Sequence, residues 1–171
     1  ASLVGIVMGP YLANRFGKKK VYLTAVIIST ALNLLRLLDV TSMILIYISA
    51  LIGGVAGGWM VPVSTSIQAD NTTYVQYKTG KRAEAAIASL TSFVSKVAQG
   101  LGGAIPGYVI AAYGFVTGAS VQPESINTGI ILCALILPLI FGILGSLIFG
   151  TQYTLDQKAV IEMDAKINRN N

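Results

Sequence analysis

The sequence has no histidine, one cysteine and few charges: Asp, Glu, Lys and Arg make up 11% of its 171 residues. A soluble domain carries about a quarter charged residues, so this composition belongs to a chain solvated mainly by lipid. Without histidine the chain holds neither a Ser-His-Asp nor a Cys-His nucleophile system, and no His-ligated metal site. A lone Cys133 inside an apolar run excludes an internal disulfide and reads as helix filling. No phosphate loop is visible either, because Lys78-Thr79-Gly80-Lys81 lacks the upstream glycine spacing. The chain is therefore not expected to be an enzyme or to hold a cofactor or metal.

Apolar residues fill most of what remains: 54% of the chain is hydrophobic and its mean hydropathy is +0.70. About 20 apolar residues cross a bilayer core, and the runs at about 21–38, 42–67, 84–112 and 128–150 each reach or approach that length. A fifth piece, about 1–13, is too short to cross alone. It is expected to be the end of a longer helix, and the chain a piece of a longer protein.

Charge placement supports this reading. Arg15, Lys18, Lys19 and Lys20, then Lys78, Lys81 and Arg82, then Lys158, Lys166 and Arg169 account for ten of the twelve basic residues. The two intervening connections, 39–41 and 113–128, hold none. Alternate loops that differ in Lys and Arg mark helices crossing back and forth with the basic side cytoplasmic. The net charge of +5 thus needs no nucleic-acid partner.

Arg36 and Asp39 are spaced to pair at the far end of their span. Lys96 is twelve residues after Glu84, about 18 Å along a helix, too deep to reach either interface comfortably. An intramembrane lysine faces a bundle interior or a watery cavity and pairs with carboxylates or carbonyls; a functional cavity role and a static structural pairing are both open. Gly53, Gly54, Gly57 and Gly58, and separately Gly103 and Gly107, have the spacing of close helix packing. Pro62, Pro106 and Pro138 are expected to kink their helices. Trp59 is either a stacking platform for a sugar ring or ordinary packing. In the tail, 151–171, Thr154 and Gln157 fit a capping box opening a short amphipathic helix along the cytoplasmic face, with a frayed end at 168–171.

The most informative stretch runs Ala69-Asp70-Asn71-Thr72-Thr73-Tyr74-Val75-Gln76-Tyr77-Lys78-Thr79-Gly80-Lys81-Arg82-Ala83-Glu84. It resembles the signature loop of the glycoside-pentoside-hexuronide:cation symporters, the melibiose-carrier-like branch of the major facilitator superfamily. That pattern is approximately A-D-x-x-D-Y-x-x-x-K-T-G-x-R-x-E, followed by S-F-V-x-K, here Ser92-Phe93-Val94-Ser95-Lys96. The segment Gly5 to Lys20 is similar to the family's basic loop between its eighth and ninth helices.

The resemblance implies an all-α integral membrane protein: the C-terminal part of a twelve-helix transporter, with one truncated and four full transmembrane helices. It implies a symporter of a sugar, glycoside or uronide coupled to Na+ or H+ by alternating access, sited in the cell membrane with basic loops and tail cytoplasmic. Lys96, with Trp59, would belong to the central cavity; Asp70, Arg82, Lys78, Glu84 and Arg15 would form a cytoplasmic gating network. Asp70 and Arg82 are the expected latch, switching between states or a static surface pair. The coupling cation would be bound mainly by N-terminal helices outside this chain, whose bundle is the expected partner along with lipid and the sugar. Thr73 and Gln76 stand where the family carries Asp and often Glu, so its closing network is thinned or rebuilt here. The alternatives are the same fold moving a lipid or other amphiphile, and a non-transporting membrane sensor or scaffold.

Overall fold

The structure is a computed structural model and describes residues 1–119 and 121–169. Among the described residues all regular structure is helical: α1 (Ser2–Phe16), α2 (Lys18–Leu38), α3 (Met43–Thr79), α4 (Glu84–Ala112), α5 (Ser125–Ile131), a π turn (Leu132–Ile136), α6 (Leu137–Gln152) and α7 (Gln157–Arg169). Three helices are long and apolar enough to cross a membrane: Lys18–Leu38, Met43–Thr79 and the continuous Ser125–Gln152. The fourth expected span, α4, has 29 residues and hence the length. Lys96, Gln99 and its serines and glycines keep its most apolar stretch below that of the other three.

Local signals place the boundaries. Gly17 separates α1 from α2 with φ 88° and ψ 142°, a conformation that a side chain would strain. Asp39 closes α2 by accepting from Thr41 N at 3.0 Å, Thr41 Oγ1 at 2.8 Å and Ser42 N at 3.1 Å. The Thr41 hydroxyl, followed by these amides, holds the Asp39 carboxyl below the usual carboxylate range. The expected Arg36–Asp39 pair is not formed; the three donors all meet Oδ1 of Asp39. Ser42 caps α3 by accepting from Leu45 N at 3.4 Å, and Gly80 ends it in the left-handed region, its N–H donating to Gln76 O at 2.8 Å.

Two expectations about the ends change. The helix expected to stop near residue 67 continues to Thr79, so α3 spans 37 residues, about 55 Å at ~1.5 Å per residue. The signature loop is thus mostly helix, and only Gly80 to Ala83 forms the turn. The capping box at Thr154 is also not formed: α7 starts at Gln157, whose N–H donates to Oδ1 of the preceding Asp156 at 2.7 Å. Of the polar end at 168–171, residues 170–171 lie outside the described residues.

The glycines do pack helices, but not all of those expected. A Cβ on Gly58 would fall on Ser2 O, and one on Gly5 would fall on Val55 O. Gly5, Gly9 and Ala13, spaced by four on α1, are all buried; Gly5 meets Gly58 and Gly9 meets Pro62 of α3, while Gly54 faces Ala1 and Ser2. Around Gly57, Gly103 and Gly107 there is open space instead. The three expected proline kinks lie within helical stretches, and Pro138 comes directly after the π turn, where a widened turn accommodates a residue lacking its N–H. On the other side α6 packs on α2, with Gly142 against Thr30.

Candidate functional site

The core of the bundle gathers at its basic end. Ala13, Val21, Val63, Ile67 and Tyr153 are buried together, with Leu12, Tyr22, Trp59, Phe149 and Leu155 packed around them. The Phe149 and Tyr153 rings stack with centroids 4.9 Å apart, and Tyr22 meets Phe149 at 4.5 Å, tilted by 46°. Phe149 and Tyr153 are four residues apart, which puts them on one face at the end of α6.

Asp70 sits on the rim of this core, three residues beyond Ile67 on α3, and is only 6% exposed. Lys18, the first residue of α2, donates to both of its oxygens at 2.7 Å. The Tyr153 hydroxyl donates to Asp70 Oδ2 at 3.3 Å. One carboxylate therefore joins the start of α2, the outer third of α3 and the residue that follows α6. Burial, then the negative charge of Asp70 and the hydrogen bond to it, push the Tyr153 phenol up to about 12. The Lys18 ammonium is one point charge shared by both oxygens, and charge-assisted bonds of this kind are shorter and stronger than neutral ones.

A cleft of about 240 Å³ opens beside this triad, lined by Lys18, Lys19, Lys20, Asp70, Tyr153 and the α6–α7 connection. α7 packs along the outer part of α3, with Lys166 Nζ 5.8 Å from the centre of the Tyr77 ring.

The expected latch partner of Asp70 is corrected. Arg82 is exposed in the turn after α3, roughly 13 Å of helix beyond Asp70 at ~1.5 Å per residue, and Lys18 takes its place. Lys78 is exposed 5.9 Å from the Tyr74 ring, and Arg15 is exposed 5.4 Å from that of Phe16. Glu84 is exposed in the first turn of α4, where a carboxylate complements the helix N-terminus. None of these four side chains touches Asp70. Lys96 is exposed on α4, a helix with no buried residue. Trp59 is half-buried against α1, its backbone 3.0 Å or less from where Cβ atoms on Gly5 and Gly9 would lie. Its indole Nε1 is buried without an acceptor among the described residues.

Lys18 and Tyr153 were not singled out from the sequence. Lys18 stands in a run of three lysines, and only the Gly17 break selects which one turns inward. The Phe149/Tyr153 spacing was the available sign for the other.

A family model described as "MFS/sugar transport protein" matches residues 1–157. The chain is 30% identical over 171 residues to the glucuronide carrier protein homolog of Escherichia coli (strain K12), covering 95% of this chain and 37% of that protein. It is 27% identical over 131 residues to the isoprimeverose transporter of Lactiplantibacillus pentosus, covering 74% of this chain and 27% of that protein. With the uncharacterized symporter YjmB of Bacillus subtilis (strain 168) it shares 32% identity over 169 residues, 96% of this chain and 36% of the relative. The chain thus spans about a third of the length of the curated relatives it matches. These relatives are transporters and carriers, not enzymes.

Proposed function

The chain belongs to the MFS/sugar transport protein family, and from that premise we propose that the intact protein is a secondary active symporter. It moves a sugar, glycoside or uronide across the cell membrane, driven by a Na+ or H+ gradient, by alternating access. Relatives named for isoprimeverose and glucuronide support the substrate class. The basic loops and the tail face the cytoplasm, as the alternation of Lys and Arg between loops favours.

The observation that carries the reading is the Lys18–Asp70–Tyr153 triad. An ion pair made by side chains that are 19% and 8% exposed is costly to break unless both partners find new surroundings. Joining three helices at one end of the bundle, it suits a contact that holds one state of a two-state machine and is exchanged in the other. In this reading Asp70 is the centre of the cytoplasmic gate, Lys18 is its partner, and Arg82, Lys78, Glu84 and Arg15 form the outer charged rim. Lys96, midway along α4, supplies positive charge to the transport path.

The test is uptake into proteoliposomes holding the intact protein, using labelled glycosides, pentosides and uronides under an imposed Na+ gradient and then an H+ gradient. Accumulation of one solute under one gradient is expected. Absence of concentrative uptake across the panel, with the protein folded, would overturn the symporter reading.

A further inference from the structure

We propose that the basic end of α1 and α2 carries a binding site for an anionic phospholipid. Two adjoining cavities make the case. The first is the polar cleft lined by Lys18, Lys19 and Lys20 described above. The second is an apolar groove of about 390 Å³ whose walls include Met8, Leu12 and Phe16 of α1, Val21 of α2, and Trp59 of α3. Phe16 and Lys20 line both. A cleft with three lysines thus adjoins an apolar groove across Phe16 and Lys20, which is the amphipathic profile of a phospholipid.

The dimensions and the charges agree. Met8, Leu12 and Phe16 are spaced by four, so the apolar wall runs about 12 Å along α1, away from the lysines at the start of α2. That length accepts much of one acyl chain. At the polar end, Lys18 is neutralised by Asp70; Asp156, whose Oδ1 accepts from Gln157 N, keeps its charge, so the cleft lined by three lysines and two aspartates carries one net positive charge. Lys20 makes no ion pair among the described residues and borders the groove with no carboxylate beside it. Thr24, the other polar wall, donates its hydroxyl to Lys20 O at 2.8 Å. The ammonium of Lys20, seconded by Lys19, is the group left to meet a phosphate. Both lysines lie in the first turn of a helix that is long and apolar enough to cross a membrane, at the depth where headgroups sit, and basic pockets between helices at that depth bind anionic lipids.

Trp59, the one tryptophan in the sequence, reports on its own groove. The intact protein is reconstituted with phosphatidylglycerol or phosphatidylcholine brominated on the acyl chains, and quenching is followed; the part lost in Trp59→Phe is the groove signal. Phosphatidylglycerol is expected to reach half-quenching at several-fold lower mole fraction, on the order of fivefold for each effective lysine. Lys19→Gln with Lys20→Gln should bring the two lipids together. In the unmodified protein, raising the salt concentration should shrink the preference through screening. Equal quenching by both lipids, quenching by neither, or a preference that survives both the double substitution and high salt would overturn the assignment. None of these readouts depends on whether a sugar is transported.

Discussion

Lys18→Ala should destabilise the protein far more than the loss of a surface ion pair would. The substitution leaves Asp70, 6% exposed, with a single neutral donor, the Tyr153 hydroxyl at 3.3 Å. Removing one partner of a buried pair costs about 3–5 kcal/mol. Lys18 is partly exposed, its side chain at 19%, so water reaches the vacated position and the low end, about 3 kcal/mol, applies. For a unit of this size that is a fall of roughly 6–12 °C in Tm. Replacing both partners, Lys18→Met with Asp70→Leu, removes the stranded charge together with its counterion. That double variant loses mainly the Tyr153 hydrogen bond, about 1 kcal/mol, and should melt above the single variant.

The assay is thermal unfolding of the purified protein in detergent for the wild type, Lys18→Ala, and the cycle of Lys18→Met, Asp70→Leu and their double. A fall under about 2 °C for Lys18→Ala would place the pair among exposed bridges worth about 0–1 kcal/mol. A double variant less stable than Lys18→Ala would show that the contact is not governed by a buried charge. Either result refutes the reasoning.

Other expectations follow from the same geometry. Gly58→Leu should destabilise by about 1–3 kcal/mol through overpacking, since its Cβ would fall on Ser2 O, whereas Gly57→Leu, in open space, should stay within about 0.5 kcal/mol; matched melting curves would refute the close α1–α3 approach. Tyr153, pushed up to about 12, contributes stability that is complete below the ordinary tyrosine value near 10 and is lost as pH rises through about 12; a tyrosinate absorbance titration should lose its last step in Tyr153→Phe, and no change there would contradict the buried hydrogen bond. Lys96→Ala in the intact protein should abolish gradient-driven accumulation while leaving membrane insertion intact, and full retention of concentrative uptake would remove Lys96 from the transport path.

The spans were legible because their signal is additive: some twenty apolar residues in a row, with lysines and arginines in alternate loops, need no tertiary knowledge. Ends were less legible. The hydropathy of α3 fades after Ile67, yet backbone hydrogen bonding carries the helix on to Thr79, where Gly80 gives a real stop. Hydropathy reports where lipid ends, and capping reports where the helix ends; here the two differ by twelve residues. At the tail, Thr154 and Asp156 are both capping residue types, and the helix begins directly after Asp156.

The choice of partner for Asp70 was the least legible, and the reason is physical. Asp70 has several cations near it in sequence or by topology: Lys18, Lys19, Lys20, Lys78, Lys81 and Arg82. In water each would bring about the same Coulomb energy, and sequence distance gives no ranking beyond favouring the near ones. Burial breaks the tie. Asp70 points into the rim formed by Ala13, Val21, Ile67 and Tyr153, so the winning cation must reach that rim with its own stem covered by apolar surface. Lys18 does so because Gly17, at φ 88°, turns the chain between two packed helices and starts α2 beside the rim. Arg82 follows Gly80 out of the packed region and remains in solvent. The carboxylate itself was readable from a sequence motif, while its counterion follows from a glycine turn more than fifty residues away.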